Sequence, residues 1–254
     1  KRKLSKRKDP EAAVSYYEEI GVPADSVKEY LINIANSNFE NWRKANKDAD
    51  FFDFDFQLNK MSVSGALFDM VKFFDVSKNV ISRYSAERLY DEVLVWAKKF
   101  DEELVKLLEN KEYALKVFGI ERNNSNKPRK DIAKWSDVKE NIIYMYERPT
   151  EFDFDKINGD DLSRVLAAFV ETYDENDDNQ AWFEKVKDVA EKCGYAREVK
   201  EFKQNPENWP GHVGDVSTAI RVALTGRRNT PDLCEIMKVL GRDEVVARLN
   251  NFIK

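Results

Sequence analysis

The stretch SAERLYDEVLVWAKKF, residues 85–100, decides the fold. The serine at its start suits a helix N-cap, because its hydroxyl can accept a hydrogen bond from a free backbone N–H of the first turn. Apolar residues then recur three or four positions apart, as they do along one face of a helix. This face contains Leu89, Val93, Trp96, Phe100, Leu104 and Leu107. The pattern predicts one long helix that begins after Ser85 and continues past residue 100.

Similar patterns on both sides of this stretch predict an all-α fold. Caps, first-turn prolines and closing glycines divide the chain into helices. The predicted helix starts are Asp9, Pro23, Ser136, Asp160 and Thr230–Asp232, and the predicted ends are Gly21, Gly194 and Gly241. Only residues 52–58 alternate with a period of two, which indicates a short strand or an extended segment.

The composition agrees with a helical protein and excludes several functions. The 254 residues include 9 Gly and 7 Pro, which is few for a chain rich in turns. Two Cys cannot form a disulfide framework and favour a reducing compartment, and with one His they cannot complete a four-ligand zinc site without carboxylates. A hydrolase of the Ser-His-Asp type would need His212 as its base. No apolar run is long enough to span a membrane.

The length allows two domains of ordinary size. We place a boundary near residue 98, which gives domains 1–98 and 99–254. A further division near residue 160 follows the stretch 149–159, which contains Pro149 and Gly159.

The basic start of the chain is a candidate polyphosphate site. Six of the first eight residues are Lys or Arg, and KLSKR, residues 3–7, places two lysines three positions apart around a serine. An ammonium group on a flexible stem can follow phosphate oxygens, and a loop backbone can bend to meet them. The alternative is a solvated basic tail, which is the usual role of a charge run.

KLSKR and the DPEA that follows at residues 9–12 resemble the second signature loop of glutamyl-tRNA synthetases, which are class I enzymes. The family pattern is Lys-Met-Ser-Lys-Ser, and Arg7 departs from its last serine in the way that is common among glutamate enzymes. Further segments resemble the same family in the same order along the chain: 30–38, 65–72, 127–135, 211–215 and 221–233. The first class I signature, His-x-Gly-His, needs two histidines, and this chain has one.

The resemblance therefore implies the C-terminal portion of such an enzyme. It would comprise the signature loop, a helical stem-contact domain and a helical-bundle, cage-like anticodon-binding domain. The parent would be a glutamate–tRNA ligase, which attaches glutamate to tRNA(Glu) through an ATP-dependent glutamyl-adenylate. Its substrates would be ATP with Mg, L-glutamate and tRNA(Glu), and we expect a cytoplasmic monomer without membrane attachment.

In the parent enzyme, the resemblance assigns ATP binding to Lys3, Lys6 and Arg7, and a catalytic role to Lys3, Ser5 and Lys6. The lysines would stabilise the charge that develops when glutamate attacks the α-phosphate of ATP. Without the catalytic domain, we expect this portion to be inactive and to hold neither a cofactor nor a metal ion.

Two basic segments are candidates for tRNA binding within a chain of net charge −5, because an anticodon loop exposes phosphates and splayed bases to Arg and Lys. The residues concerned are Arg122, Lys127, Arg129, Lys130 and Lys134 in the first segment, and Arg221, Arg227 and Arg228 in the second. The alternative for Arg221 is a structural role, in which its side chain snorkels to the surface or pairs with a carboxylate. We expect Trp135 to pack in the core and His212 to structure its loop, although a base-reading role for His212 is an alternative.

Other functions compete with this interpretation. A glutaminyl enzyme is disfavoured because its anticodon region is built from β-barrels, and a class I lysyl enzyme because KLSKR-DPEA favours the glutamate branch. The competitor from a different class is a helical protein-interaction module with a basic tail and no role in RNA binding.

Overall fold

The computed structural model describes residues 5, 8–61, 66–122 and 128–254, and the predicted site residues Lys3, Lys6, Arg7 and Lys127 lie outside these ranges. The all-α prediction is confirmed, since the described ranges contain fourteen α-helices and, apart from two isolated bridges, no β-structure. Among the helices of these ranges, none has both the length and the apolar character that crossing a membrane requires.

The chain divides into two compact units, residues 1–141 and 142–254. The predicted boundary near residue 98 lies instead within a helix, Ala86–Phe100, whose neighbours in sequence pack against it. The predicted division near residue 160 coincides with the start of another helix, Gly159–Thr172. Functional boundaries near 98 and 160 stay predictions.

The first unit consists of short helices joined by loops and 3-10 turns. Its helices are α1 (Val14–Ile20), α2 (Ala24–Ala35), α3 (Phe39–Ala45), α4 (Met70–Ile81), α5 (Ala86–Phe100), α6 (Glu102–Leu107) and α7 (Lys111–Gly119). The next helix, α8 (Val138–Tyr146), contains the division between the units. Helix α2 packs along α4, and α5 packs against α6 and α7.

The pair formed by α2 and α4 has an aromatic core. Tyr30 and Phe73 are buried with their ring centroids 4.9 Å apart, edge to face. The Tyr30 hydroxyl accepts from the backbone N–H of Asp69 at 2.8 Å, so burial of this phenol leaves its oxygen satisfied. Asp69 in turn caps α4 by accepting from two backbone N–H groups of the first turn.

The helix predicted to run from Ser85 to beyond residue 100 is two helices. Ser85 caps α5 as predicted, since its hydroxyl accepts from the N–H of Arg88. Asp101 then ends the helix, and its carboxylate accepts from the N–H of Leu104 at 3.0 Å to start α6. The apolar spacing continues across this break because Leu104 is still buried, which is why periodicity alone missed the break.

One other local prediction was wrong. Ser136 does not cap α8, because its hydroxyl donates to the carbonyl of Ile20 at 3.0 Å, while Asp137 accepts from nearby backbone N–H groups.

Of the two alternatives predicted for the alternating stretch 52–58, the structure shows an extended segment and not a strand. Two 3-10 turns, Phe51–Asp53 and Leu58–Lys60, flank a short extended piece.

The second unit is a bundle with one continuous hydrophobic core. Its helices after α8 are α9 (Gly159–Thr172), α10 (Asn179–Lys192), α11 (Val199–Gln204), α12 (Val213–Thr225), α13 (Leu233–Leu240) and α14 (Arg242–Asn250). Helix α12 is buried over most of its length among α9, α10 and α14. Since α12 is fixed in this way, the loop that follows it starts from a rigid position.

Candidate nucleic-acid interface

The described part of the signature loop is Ser5, together with Lys8 and Asp9 just after it. The backbone N–H of Ser5 donates to the buried carboxylate of Asp9 at 2.8 Å, and the Ser5 carbonyl accepts from the N–H groups of Lys8 and Asp9. Asp9 was predicted to cap the first helix, but its side chain makes no cap hydrogen bond there. The carboxylate accepts from the backbone of Ser5 instead, just before the 3-10 turn Pro10–Ala12.

The first basic segment divides into structural and exposed cations. Arg122 donates to the backbone carbonyls of Ile81, Tyr84 and Phe118, at 2.8, 3.3 and 3.2 Å. Burial among these groups lowers the pKa of the Arg122 guanidinium from its ordinary value. Arg122 therefore braces the connection between α4 and α5, with its Nε and Nη1 donors bonded to protein carbonyls.

The other described members of this segment lie nearer the surface. Arg129 forms an ion pair with Asp131 at 2.6 Å, and Lys134 forms one with Asp137. Lys130 is exposed. The structure therefore presents Lys130 most openly, with Arg129 and Lys134 held by local carboxylates.

Lys130 lines a cleft of the first unit with a cavity of about 790 Å³, and several cations from distant parts of the sequence share it. They are Arg43, Lys44, Lys47, Lys72 and Arg83. The sequence did not indicate these residues as a site, because they are spread over separate helices and loops with acids between them. Only the packing of α2, α3 and α4 brings them together.

A buried carboxylate organises this cleft. Glu29 is 3% exposed, and its side chain accepts from Nη2 of Arg43 at 3.1 Å and from Arg83 at 2.6 Å. The Nε of Arg43 lies 3.0 Å from the other carboxylate oxygen in an ion pair. Arg43 also donates to the carbonyls of Asn46 and Ala49, at 2.9 and 2.7 Å. One carboxylate thus fixes two guanidinium groups, and Asp50 adds negative charge near Arg43.

The second basic segment begins with an arginine that has a structural role. Arg221, on α12, donates to the carbonyl of Pro231 at 2.8 Å and to the hydroxyl of Thr230. These bonds close the loop 226–232 onto the helix that precedes it. Of the two roles considered for Arg221 in the sequence, the structure therefore gives it a bracing one, and a direct contact with RNA stays a prediction.

Gly226 ends α12 in the left-handed conformation, with φ of +70°. A Cβ atom at this position would lie 2.8 Å from the carbonyl oxygen of Glu151 and 2.9 Å from the Cβ of Pro149. The close approach that this glycine allows is therefore to the chain's own segment 149–151.

Arg227 and Arg228 follow this turn and have different neighbours. The Arg227 guanidinium is partly buried, 5.8 Å from the centroid of the Tyr144 ring. Arg228 is 42% exposed and donates to one carboxylate oxygen each of Asp153 and Asp155, both at 3.1 Å. Its Nε also donates to the carbonyl of Asp153 at 3.2 Å. Arg228 is thus an accessible cation placed by three hydrogen bonds.

Three phenylalanines position the segment that carries these carboxylates. The rings of Phe152 and Phe154 are stacked, with centroids 6.0 Å apart and planes at 10°, and both meet Phe252 edge to face. Because successive residues of an extended chain point in opposite directions, Asp153 and Asp155 point away from this packing.

An arginine of α14 connects Tyr144, which lies beside Arg227, to the C-terminal part of α12. Arg248 is 3% exposed and donates to the carbonyls of Tyr144 and Leu224, at 2.7 and 2.8 Å. Glu244 accepts from both Arg148 and Arg248. Hydrogen bonds from these arginines, Arg148 foremost, lower the pKa of Glu244 to about 2.

The sequence also assigned structural roles to His212 and Trp135, and the structure confirms both. His212 structures its loop as the N-cap of α12, where Nδ1 accepts from the N–H of Gly214 at 2.9 Å. Trp135 is buried in the first unit. Cys193 and Cys234 are buried free thiols of the second unit, and burial raises the pKa of each.

Comparison with known proteins also indicates the region that contains the second basic segment. A family model described as an anticodon binding domain matches residues 210–253, which include α12, the loop 226–232, α13 and α14. The chain is 46% identical to the glutamate–tRNA ligase of Acetivibrio thermocellus, 47% identical to that of Clostridium perfringens and 48% identical to that of Sorangium cellulosum. Each alignment covers the whole of this chain and 45–47% of the relative, so the chain spans about half the length of these ligases.

Solved structures with this fold include a glutamate tRNA ligase from Elizabethkingia meningosepticum, with a TM-score of 0.65 at 18% identity, and a glutamate-tRNA synthetase from Elizabethkingia anophelis, with a TM-score of 0.63 at 19% identity. The alignments cover 99% and 100% of this chain and 48% of each of those chains. At these identities the likeness concerns the fold.

Proposed function

Because this chain is homologous over its whole length to the C-terminal half of glutamate–tRNA ligases, we propose that it recognises the stem and anticodon of tRNA(Glu) in such a ligase. The observation that carries the proposal is the match of residues 210–253 to an anticodon binding domain, since these residues include Arg221, Arg227 and Arg228.

In this proposal, the loop 226–232 contacts the anticodon loop. Bases of an anticodon are unstacked and can pack on a guanidinium plane, while their phosphates accept from Arg donors. Arg228 is exposed for a phosphate contact, and Arg227 lies beside it on the same loop. Arg221 acts indirectly by holding the loop through Thr230 and Pro231.

The first unit then contacts the tRNA stem through the cleft that contains Lys130. We propose that Lys130 and Arg83 approach stem phosphates, together with Lys127, Arg129 and Lys134 of the predicted segment. A double-stranded RNA stem is recognised mainly by contacts to its phosphates and 2′-hydroxyls, which suits a cleft whose lining cations outnumber its lining acids by six to four. Arg122 supports the cleft indirectly, because its hydrogen bonds to backbone carbonyls hold the connection between α4 and α5.

For the complete ligase, we propose that KLSKR serves the activation of L-glutamate by ATP with Mg²⁺. Lys3 and Lys6 would offset negative charge at the α-phosphate, Arg7 would assist in binding ATP, and Ser5 would shape the loop. The hydrogen bond from the Ser5 backbone to Asp9 supports such a role, because it anchors one residue of the loop. A cytoplasmic location and a monomeric state are part of the same proposal.

The test is a fluorescence-monitored titration of this chain with tRNA(Glu) at several salt concentrations. We expect binding that weakens as salt rises, because contacts to phosphates release counterions. The double variant Arg227→Ala and Arg228→Ala should lose about tenfold in affinity and remain folded by circular dichroism. A matched control is Arg164→Ala with Lys192→Ala, which removes two exposed cations of the same unit.

Two results would contradict the proposal. Unchanged affinity of the Arg227 and Arg228 variant would remove these residues from the interface. Absence of any binding to tRNA would instead favour the helical protein-interaction module.

A further inference from the structure

We infer that Asp153 and Asp155 are specificity-determining residues of the RNA surface, because they occupy the donors of Arg228 that an RNA phosphate would take. This inference rests on the proposed function and deepens it. The ligand that competes with the two carboxylates is a phosphodiester group of the bound RNA.

The geometry of Arg228 is that of an arginine bound to an oxyanion. Nη1 donates to Asp155 and Nη2 to Asp153, each at 3.1 Å, so the outer edge of the guanidinium faces two negative oxygens. A phosphate presents two oxygens to an arginine through the same fork of parallel N–H donors. Carboxylates and phosphate are therefore alternative occupants of one position.

The two ion pairs are weak enough to be exchanged. Asp153 and Asp155 are 80% and 61% exposed, and Arg228 is 42% exposed. Exposed pairs of this kind contribute little to stability, because water solvates both partners when they separate. By contrast, Arg248 donates to buried backbone carbonyls, and an incoming ligand does not reach these bonds.

Both partners also keep their positions when the pairs break. Packing of Phe152 and Phe154 against Phe252 holds the segment that carries the acids. The Nε of Arg228 donates to the backbone carbonyl of Asp153 at 3.2 Å, a bond that is independent of the carboxylates. Arg228 therefore stays oriented while its Nη groups change partner.

The consequence concerns selectivity as well as affinity. An RNA that places a phosphate at Arg228 displaces the two acids, while an RNA that approaches in another register meets their negative charge. Removal of the acids should raise affinity for every RNA and reduce the preference for tRNA(Glu).

The experiment measures the affinity of this chain for an unmodified tRNA(Glu) transcript, with a non-cognate tRNA as competitor. Asp153→Asn with Asp155→Asn should raise affinity for tRNA(Glu) by about three- to tenfold and lower the ratio of cognate to non-cognate affinity. The control is Glu151→Gln, which removes an exposed carboxylate of the same segment, whereas the donors of Arg228 bond to Asp153 and Asp155. It should change affinity less than either single aspartate variant.

The two asparagine changes are then combined with Arg228→Ala. This combination distinguishes competition for the Arg228 donors from a general loss of negative charge near the RNA. In that background the gain should fall to the size seen for Glu151→Gln. A gain that persists without Arg228, or no gain in its presence, would overturn the inference while leaving tRNA binding intact. Failure of every form to bind tRNA would overturn the proposed function and the inference with it.

Discussion

Arg227 and Arg228 are neighbours in sequence with different environments, and the glycine before them causes the difference. Gly226 turns the chain with a positive φ, so that Arg227 faces Tyr144 and Arg228 faces the segment 153–155. The sequence indicated both arginines as candidates for tRNA binding. It could not locate their partners, because Asp153 lies 75 positions away from Arg228.

At the scale of single residues, Gly226→Ala should destabilise the chain by about 1–3 kcal/mol. The cost has two parts: the left-handed backbone and the contact of the new Cβ with the carbonyl of Glu151. Gly194→Ala is the matched control, since Gly194 has φ of +80° and open space around it. Urea unfolding should show the larger loss for Gly226→Ala, and equal losses would contradict the proposed close contact.

At the scale of elements, Glu29 connects α2 to Arg43 of α3 and to Arg83, which follows α4. Glu29→Ala should cost about 3 kcal/mol in the free energy of unfolding, because it leaves guanidinium groups in a cleft without their carboxylate. Glu40→Ala, which removes an exposed acid paired with Lys44 and Lys72, should cost less than about 1 kcal/mol. Comparable losses in urea unfolding would show that burial of Glu29 does not matter.

The ion pair between Glu244 of α14 and Arg148 predicts that the free energy of unfolding depends on pH. Glu244 has a folded pKa of about 2, below its ordinary value of 4.5, so its carboxylate favours the folded state above pH 4.5. This contribution, about 1–2 kcal/mol after allowance for partial exposure, should fade as the pH falls from 4.5 to 2. The difference in unfolding free energy between the unchanged chain and Glu244→Gln should therefore shrink over that range. A difference that is constant with pH would contradict the assignment.

The elements also show which sequence signals were sufficient. Ser85, Asp232 and His212 lie beside their helices and act through the nearest N–H groups, so local patterns were enough to place these helix starts or their loops. Asp101 was missed because the apolar spacing continues across it. Ser136 was misassigned because its hydroxyl bonds to Ile20, a partner that the local sequence does not contain.

At the scale of the whole molecule, fold class and family could be predicted from local patterns along the sequence, whereas the site depends on tertiary packing. Periodicity and an ordered series of motifs were enough for an all-α relative of glutamate–tRNA ligases. The cleft of Arg83 and Lys130 was not predictable, because its cations come from separate helices and only tertiary packing joins them. The same holds for Asp153 and Asp155 beside Arg228.

The central claim is that this chain reads the anticodon of tRNA(Glu). The most direct measurement is the ratio of dissociation constants, at one fixed salt concentration, for tRNA(Glu) and for the same tRNA with its three anticodon bases replaced. We predict that the replacement weakens binding by about tenfold or more, because base contacts are lost while phosphate contacts remain. Equal affinity for the two tRNAs would contradict the claim and leave only a basic surface that binds RNA without regard to sequence.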